Sequence, residues 1–301
     1  MKNCYIFFGL ILLFISCDEN DVSTEVDEEK ITGTGAIYYD EYSPLTSKPI
    51  NVFYHIPDGY ATSMPILFVL HGAGRNAAEY RNAWIEEANA KNIIIIAPEF
   101  SDENFPGGDQ YNLGNVFVDG DNPSTQTLNN EAKWTFSLIE PIFNKVKSLI
   151  GNSSNKYDIY GHSAGAQFAH RFLMLKPNAN VNTIIASAAG WYTLPDDTIE
   201  FPYGIQNSPI ENIDASNYFS KKLIIQIGTL DNDPNSPGLR HNSIVDMQGD
   251  NRYDRAYYFY NESKMIAEEL NINFNWQLVE TPNEDHDYKL TIPQAADLLY
   301  N

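Results

Sequence analysis

A chain of 301 residues that is 43% hydrophobic is long enough for one α/β domain with a large core. Its 40 acidic residues against 19 basic ones leave a formal charge of -21, which excludes electrostatic capture of nucleic acid or of anionic lipid headgroups. Both cysteines, Cys4 and Cys17, precede residue 18, so neither an internal disulfide nor a cysteine-ligated metal is expected in the body of the protein.

Residues 1–16 carry one basic side chain, Lys2, and an apolar run from Tyr5 to Ile15 that is too short to span a bilayer, the pattern of a signal peptide. The run ends at Ile15-Ser16-Cys17, which resembles the cleavage box of bacterial lipoproteins. That resemblance implies a lipidated Cys17, export to the outer membrane or cell surface, and membrane contact through the lipid alone. Asp18–Lys30 is acidic and lacks aromatics, so residues 17–34 are expected to form a disordered tether ahead of a single domain over 35–301. Acidic residues directly after the cysteine also resemble the surface-export signals of Bacteroidota lipoproteins.

Gly35–Tyr42 and Pro49–Ile56 read as an antiparallel strand pair at a sheet edge, separated by a Ser-Pro turn. Pro65–His71 and Asn92–Pro98 are continuous apolar runs of the kind buried on both faces. Between them Asn76–Ala90 has helical periodicity, with Asn76 and Glu79 placed as a capping-box pair and Tyr80, Trp84 and Ala88 inward. The polar stretch Glu99–Asn130 is long for a loop in a compact domain and predicts a functional or mobile segment. Glu131–Ile150 predicts a helix kinked at Pro141.

Lys156–Tyr160 is a short strand, and Ala164–Leu175 is helical up to Lys176-Pro177. Between them lies Gly161-His162-Ser163-Ala164-Gly165, a G-x-S-x-G joining strand to helix and therefore a nucleophile elbow with Ser163 at its tip. Val181–Ala189 and Lys222–Gly228 are further buried strands. The aromatic, irregular segment 191–220 occupies the place of a small cap. Arg252–Leu270 predicts a helix, Phe274–Glu280 the last strand, and Pro293–Tyr300 a closing helix with proline in its first turn. The alternation predicts a mostly parallel sheet of about eight strands with helices on both faces.

A serine hydroxyl needs a base, a group that orients the base, and an oxyanion site. Of six histidines, His286 alone follows the last strand on a loop at the carboxyl edge beside the elbow, whereas His241 suits a loop or substrate role. The acid is expected after Lys222–Gly228, where Asp231 has the better spacing and Asp233 is the alternate. The oxyanion donors are assigned to the Ala164 amide and to the loop His71-Gly72-Ala73-Gly74, Ala73 first and Gly74 next. Tyr111 in the long loop and Trp191 in the cap are expected to shape the pocket.

With these motifs in order, the chain from about Lys48 onward resembles the α/β-hydrolases. Within them it is similar to the polyhydroxybutyrate-depolymerase-like and feruloyl or acetyl-xylan esterases, which open with Leu-His-Gly. The resemblance implies an ester hydrolase free of metal and cofactor, acting on acyl or aromatic esters of polysaccharides or, alternatively, on polyesters. A peptidase of the same fold is a further reading, for which no basic cluster is evident along the sequence. A glycan-capture lipoprotein on a hydrolase scaffold is the non-enzymatic alternative.

Overall fold

The computed structural model describes residues 30–301. The expected signal peptide, Cys17 and most of the expected tether lie outside them. Eight strands form one sheet in the order β1-β2-β4-β3-β5-β6-β7-β8. They are β1 (Thr34–Tyr39), β2 (Ile50–His55), β3 (Ile66–Leu70), β4 (Ile94–Pro98), β5 (Tyr157–His162), β6 (Val181–Ser187), β7 (Lys222–Gly228) and β8 (Trp276–Thr281). The β1–β2 and β2–β4 pairs are antiparallel and every other pair is parallel. β3 and β4 are buried at every position, as continuous apolar runs require when helices cover both faces.

Thr34, the first residue of β1, pairs with His55, which in turn pairs with Ile95 near the start of β4. The chain therefore enters the domain at the amino edge of the parallel strands. Their carboxyl edge lies at the other end of the sheet.

Two apolar layers sandwich the sheet. One gathers Phe68, Phe100, Tyr111, Phe136, Phe168 and Tyr192, and the other Leu67, Trp84, Ile95, Tyr160 and Ile292. Burying a large side chain of this kind contributes roughly 1.5–3 kcal/mol.

Several helices differ from expectation for identifiable reasons. The 76–90 segment forms two helices, α1 (Ala77–Ala83) and α2 (Ile85–Lys91), broken at the fully buried Trp84. Asn76 makes no side-chain cap; its amide donates to Glu79 Oε2 at 2.6 Å instead. Within the long loop a single turn, α3 (Gly107–Gln110), is followed by the buried Tyr111, Leu113, Val116 and Phe117, so this stretch is anchored by core contacts.

α4 begins only at Ile139 and ends at Ile150, which places Pro141 in the first turn, where no amide hydrogen is needed, and not in mid-helix as expected. α5 (Ala164–Leu175) is buried at every residue. The 191–220 segment is irregular and ends in the short α6 (Ala215–Ser220). α7 spans Arg252–Glu269. α8 runs from Tyr288 to Leu299, capped by Asp287, so Pro293 sits inside the helix and not at its start.

Candidate active site

The turn between β5 and α5 is as tight as backbone contact permits. A Cβ on Gly161 would come within 2.2 Å of the Gly165 carbonyl oxygen, and one on Gly165 within 2.3 Å of Leu70 O. Two glycines thus let strand and helix touch, and the residue between them takes the strain. Ser163 has φ 55° and ψ -115°, a conformation that is costly for a side chain bearing Cβ and typical of a residue held for function. Its amide is fixed by Ser187 O at 2.9 Å.

Two loops at the carboxyl edge deliver the partners. The loops after β7 and β8 are tied together, with Leu230 N donating to Glu284 O at 2.8 Å and Asn283 N to Thr229 Oγ1 at 2.8 Å. Gly228 makes room for this, since a Cβ there would lie 2.3 Å from Glu284 O. The result is a relay across three segments. The Ser163 hydroxyl donates to His286 Nε2 at 3.1 Å, and His286 Nδ1 donates to Asp231 Oδ2 at 2.7 Å. Asp231 is buried, and its other carboxylate oxygen accepts from Arg252 Nη1 at 3.2 Å. Asp233 is exposed and accepts from Asn235 N, so it shapes the turn and takes no part in the relay.

His162 stands beside this relay. Its ring lies 4.7 Å from that of His286 and its Nδ1 is 2.9 Å from the Tyr80 hydroxyl. Burial, reinforced by the neighbouring His286, holds its pKa well below the usual imidazole range, so it stays neutral.

His71 is also neutral, pushed down to about 4 chiefly by burial. Its Nδ1 donates to Gly72 O at 2.9 Å and its Nε2 accepts from Phe100 N at 3.1 Å, which clamps the turn that presents Ala73. Ala73, Gly74 and Ala164 line the same cleft as Ser163, which encloses about 550 Å³. The Ala164 amide is the first of α5, where the helix dipole favours negative charge.

The other expected site residues fall differently. Tyr111 borders the cleft but is buried; its hydroxyl donates to His71 O at 2.6 Å and its ring stacks on His71 at 4.7 Å. Trp191 forms part of the wall. The remaining aromatics of the 191–220 segment, Tyr192, Phe201, Tyr203, Tyr218 and Phe219, belong to the core and present no open aromatic surface. His241 faces Asp246 at 2.8 Å and Pro234 O at 2.9 Å, and it is not part of the cleft wall.

A basic cluster also assembles here. Arg75 and Arg252 line the cleft directly. Arg171 lies 4.1 Å from the Trp191 ring and Arg240 5.2 Å. Arg171 is fully buried with Nη2 unpartnered; burial, then the charge of Arg240, pushes its guanidinium down to about 9. Among the described residues no group of three or more His, Cys, Asp or Glu is arranged to hold a metal ion.

A serine on an elbow, a base and an orienting carboxylate in one hydrogen-bonded line, and amides at a helix start are the components of acyl transfer through a covalent acyl-enzyme. Comparison with solved structures places this geometry. Poly(aspartic acid) hydrolase-1 from Sphingomonas sp. KT-1 is 37% identical with a TM-score of 0.82, covering 89% of this chain and 98% of that one. The chain belongs to the α/β-hydrolase serine esterases. A poly(3-hydroxybutyrate) depolymerase from Bordetella parapertussis is 30% identical with the same TM-score of 0.82, covering 89% of each chain. An S-formylglutathione hydrolase from Agrobacterium tumefaciens, 13% identical with a TM-score of 0.54 over 91% of this chain and 96% of that one, shares the fold. No family model and no curated protein matches the sequence.

Proposed function

We propose that this esterase is exported, held at the outer membrane or cell surface through lipid on Cys17, and cleaves carboxylic esters on a polymer that also bears carboxylates. The observation that carries the reading is the line from Ser163 through His286 to Asp231, opening onto a cleft walled by Arg75 and Arg252. Ser163 attacks the ester carbonyl and passes its proton to His286. The oxyanion forms against the Ala73 and Ala164 amides, the alcohol leaves with the proton from His286, and water activated by the same imidazole releases the acid. Acyl esters on an acidic polysaccharide are the first substrates to examine. Aromatic acyl groups are less favoured, because the aromatics of the 191–220 segment other than Trp191 are spent in the core.

A second reading is cleavage of an anionic polyamide. It is favoured by the 37% identical hydrolase that acts on poly(aspartic acid) and by the guanidiniums of the cleft. The test is turnover of p-nitrophenyl acetate by the wild type and by Ser163→Ala, followed by a pH-stat assay on acetylated polyuronide and an assay of newly formed amino groups on poly(aspartic acid). Loss of turnover in Ser163→Ala is expected, and undiminished turnover would overturn the assignment. New amino groups from the polyamide without acid release from the ester would favour the second reading.

A further inference from the structure

Gln167 lies one helical turn beyond Ser163, its backbone N–H donating to Ser163 O at 3.1 Å, and its side chain borders the cleft. Its Oε1 accepts from Asn112 Nδ2 at 2.7 Å and faces Arg171 Nη1 at 3.5 Å. A guanidinium has no acceptor, so the atom turned toward Arg171 has to be the oxygen. Arg171 is itself locked by Thr193 Oγ1 at 2.8 Å and Asn112 O at 3.1 Å. Nη1 also donates to the Gln167 backbone O at 3.1 Å, so the guanidinium is held against this residue; the flipped amide would turn Nε2 toward that cation, and the favoured orientation leaves Nε2 as a donor on the cleft side. Gly190, which also lines the cleft, leaves space beside it, since a Cβ there would approach Nε2 to 2.9 Å.

We propose that Gln167 Nε2 is a recognition donor for a carboxylate oxygen that the substrate carries next to its scissile ester, with Asn112 and Arg171 as the residues that orient it. The assignment rests on the hydrolase reading of Ser163 and adds to it the part of the substrate that is read. A carboxylate there gains a charge-assisted hydrogen bond, and the arginines lining the cleft supply the surrounding positive field.

The experiment compares matched alkyl esters by pH-stat. On the acyl side the pair is monoethyl succinate against ethyl butyrate, and on the alcohol side 2-carboxyethyl acetate against propyl acetate. The quantity read is the ratio of kcat/KM for the carboxylate member to that for the apolar member. It is independent of the fraction of folded enzyme, and intrinsic reactivity cancels when variant and wild type are compared. Gln167→Leu removes the donor, and Gln167→Glu replaces it with a like charge. In one of the two pairs the ratio is expected to fall about fivefold or more in Gln167→Leu, and further in Gln167→Glu. Gly190→Ala, which crowds the same amide, lowers it in the same pair. A fall of less than about fivefold in both pairs overturns the assignment. An active Ser163→Ala control would instead locate the failure in the hydrolase reading.

Discussion

Arg252 Nη1 lies 3.2 Å from Asp231 Oδ1, and both side chains are almost wholly buried, at 4% and 3% exposure. The arginine is the first residue of α7, and the next amide, Tyr253 N, donates to Asp231 O at 3.1 Å. One helix start thus grips the acid by its carboxylate and by its backbone. Arg252→Met leaves a buried carboxylate with one fewer partner and is expected to cost about 3 kcal/mol or more of stability. It should also lower kcat. Urea unfolding and steady-state kinetics on the same preparation check both.

The two aspartates of the loop after β7 separate cleanly by substitution. Asp231→Asn disrupts the bond that fixes the His286 tautomer, and kcat is expected to drop by ~10³–10⁴. Asp233→Asn changes only an exposed turn and should leave kcat within about twofold. Equal losses in the two variants would contradict the geometry.

Gly165→Ala forces a methyl group to within 2.3 Å of the Leu70 carbonyl oxygen, backbone that cannot move aside independently. The expected cost is about 3 kcal/mol, seen as a lowered Tm together with lost activity. Gly151→Ala serves as a comparison at a glycine with open space around it, where only the positive φ of 66° is strained. Its effect should be smaller, on the order of 1 kcal/mol.

Three buried histidines, His71, His162 and His170, all have pKa values held below the ordinary 6.5, first of all by burial. Below pH 6.5 the unfolded chain binds protons that the folded chain refuses, so stability falls as pH drops toward the folded values. For His71, with a folded value of about 4, the full loss is on the order of 3 kcal/mol. Urea unfolding between pH 7 and pH 5, above the range where most carboxylates titrate, should show a steady decline. A flat profile there would mean that these rings accept protons in place.

What could be read in the sequence was local or governed by sheet topology. The elbow announces itself in five residues, and the loops bearing Asp231 and His286 follow from where parallel strands end. The two prolines were misplaced because periodicity does not mark where a helix begins: α4 starts later, and α8 earlier, than the apolar pattern suggests. Burial was equally hidden, since a tyrosine that clamps His71 and one that lines a pocket look alike in a sequence. The basic cluster was invisible because Arg75, Arg171, Arg240 and Arg252 come from four separate segments and meet only through the fold. Gln167 carried no signal, because its role depends on which way its amide is turned.

The entry of the chain at the amino edge of the sheet bears on how such an enzyme would meet an insoluble or bulky target. Thirteen residues, 18–30, separate the proposed attachment at Cys17 from Ile31, so the two can be no more than about 50 Å apart. The chain joins the domain at one end of the strands and the cleft opens at the other, so an attachment upstream, as proposed, would not approach the domain from the side on which substrate enters.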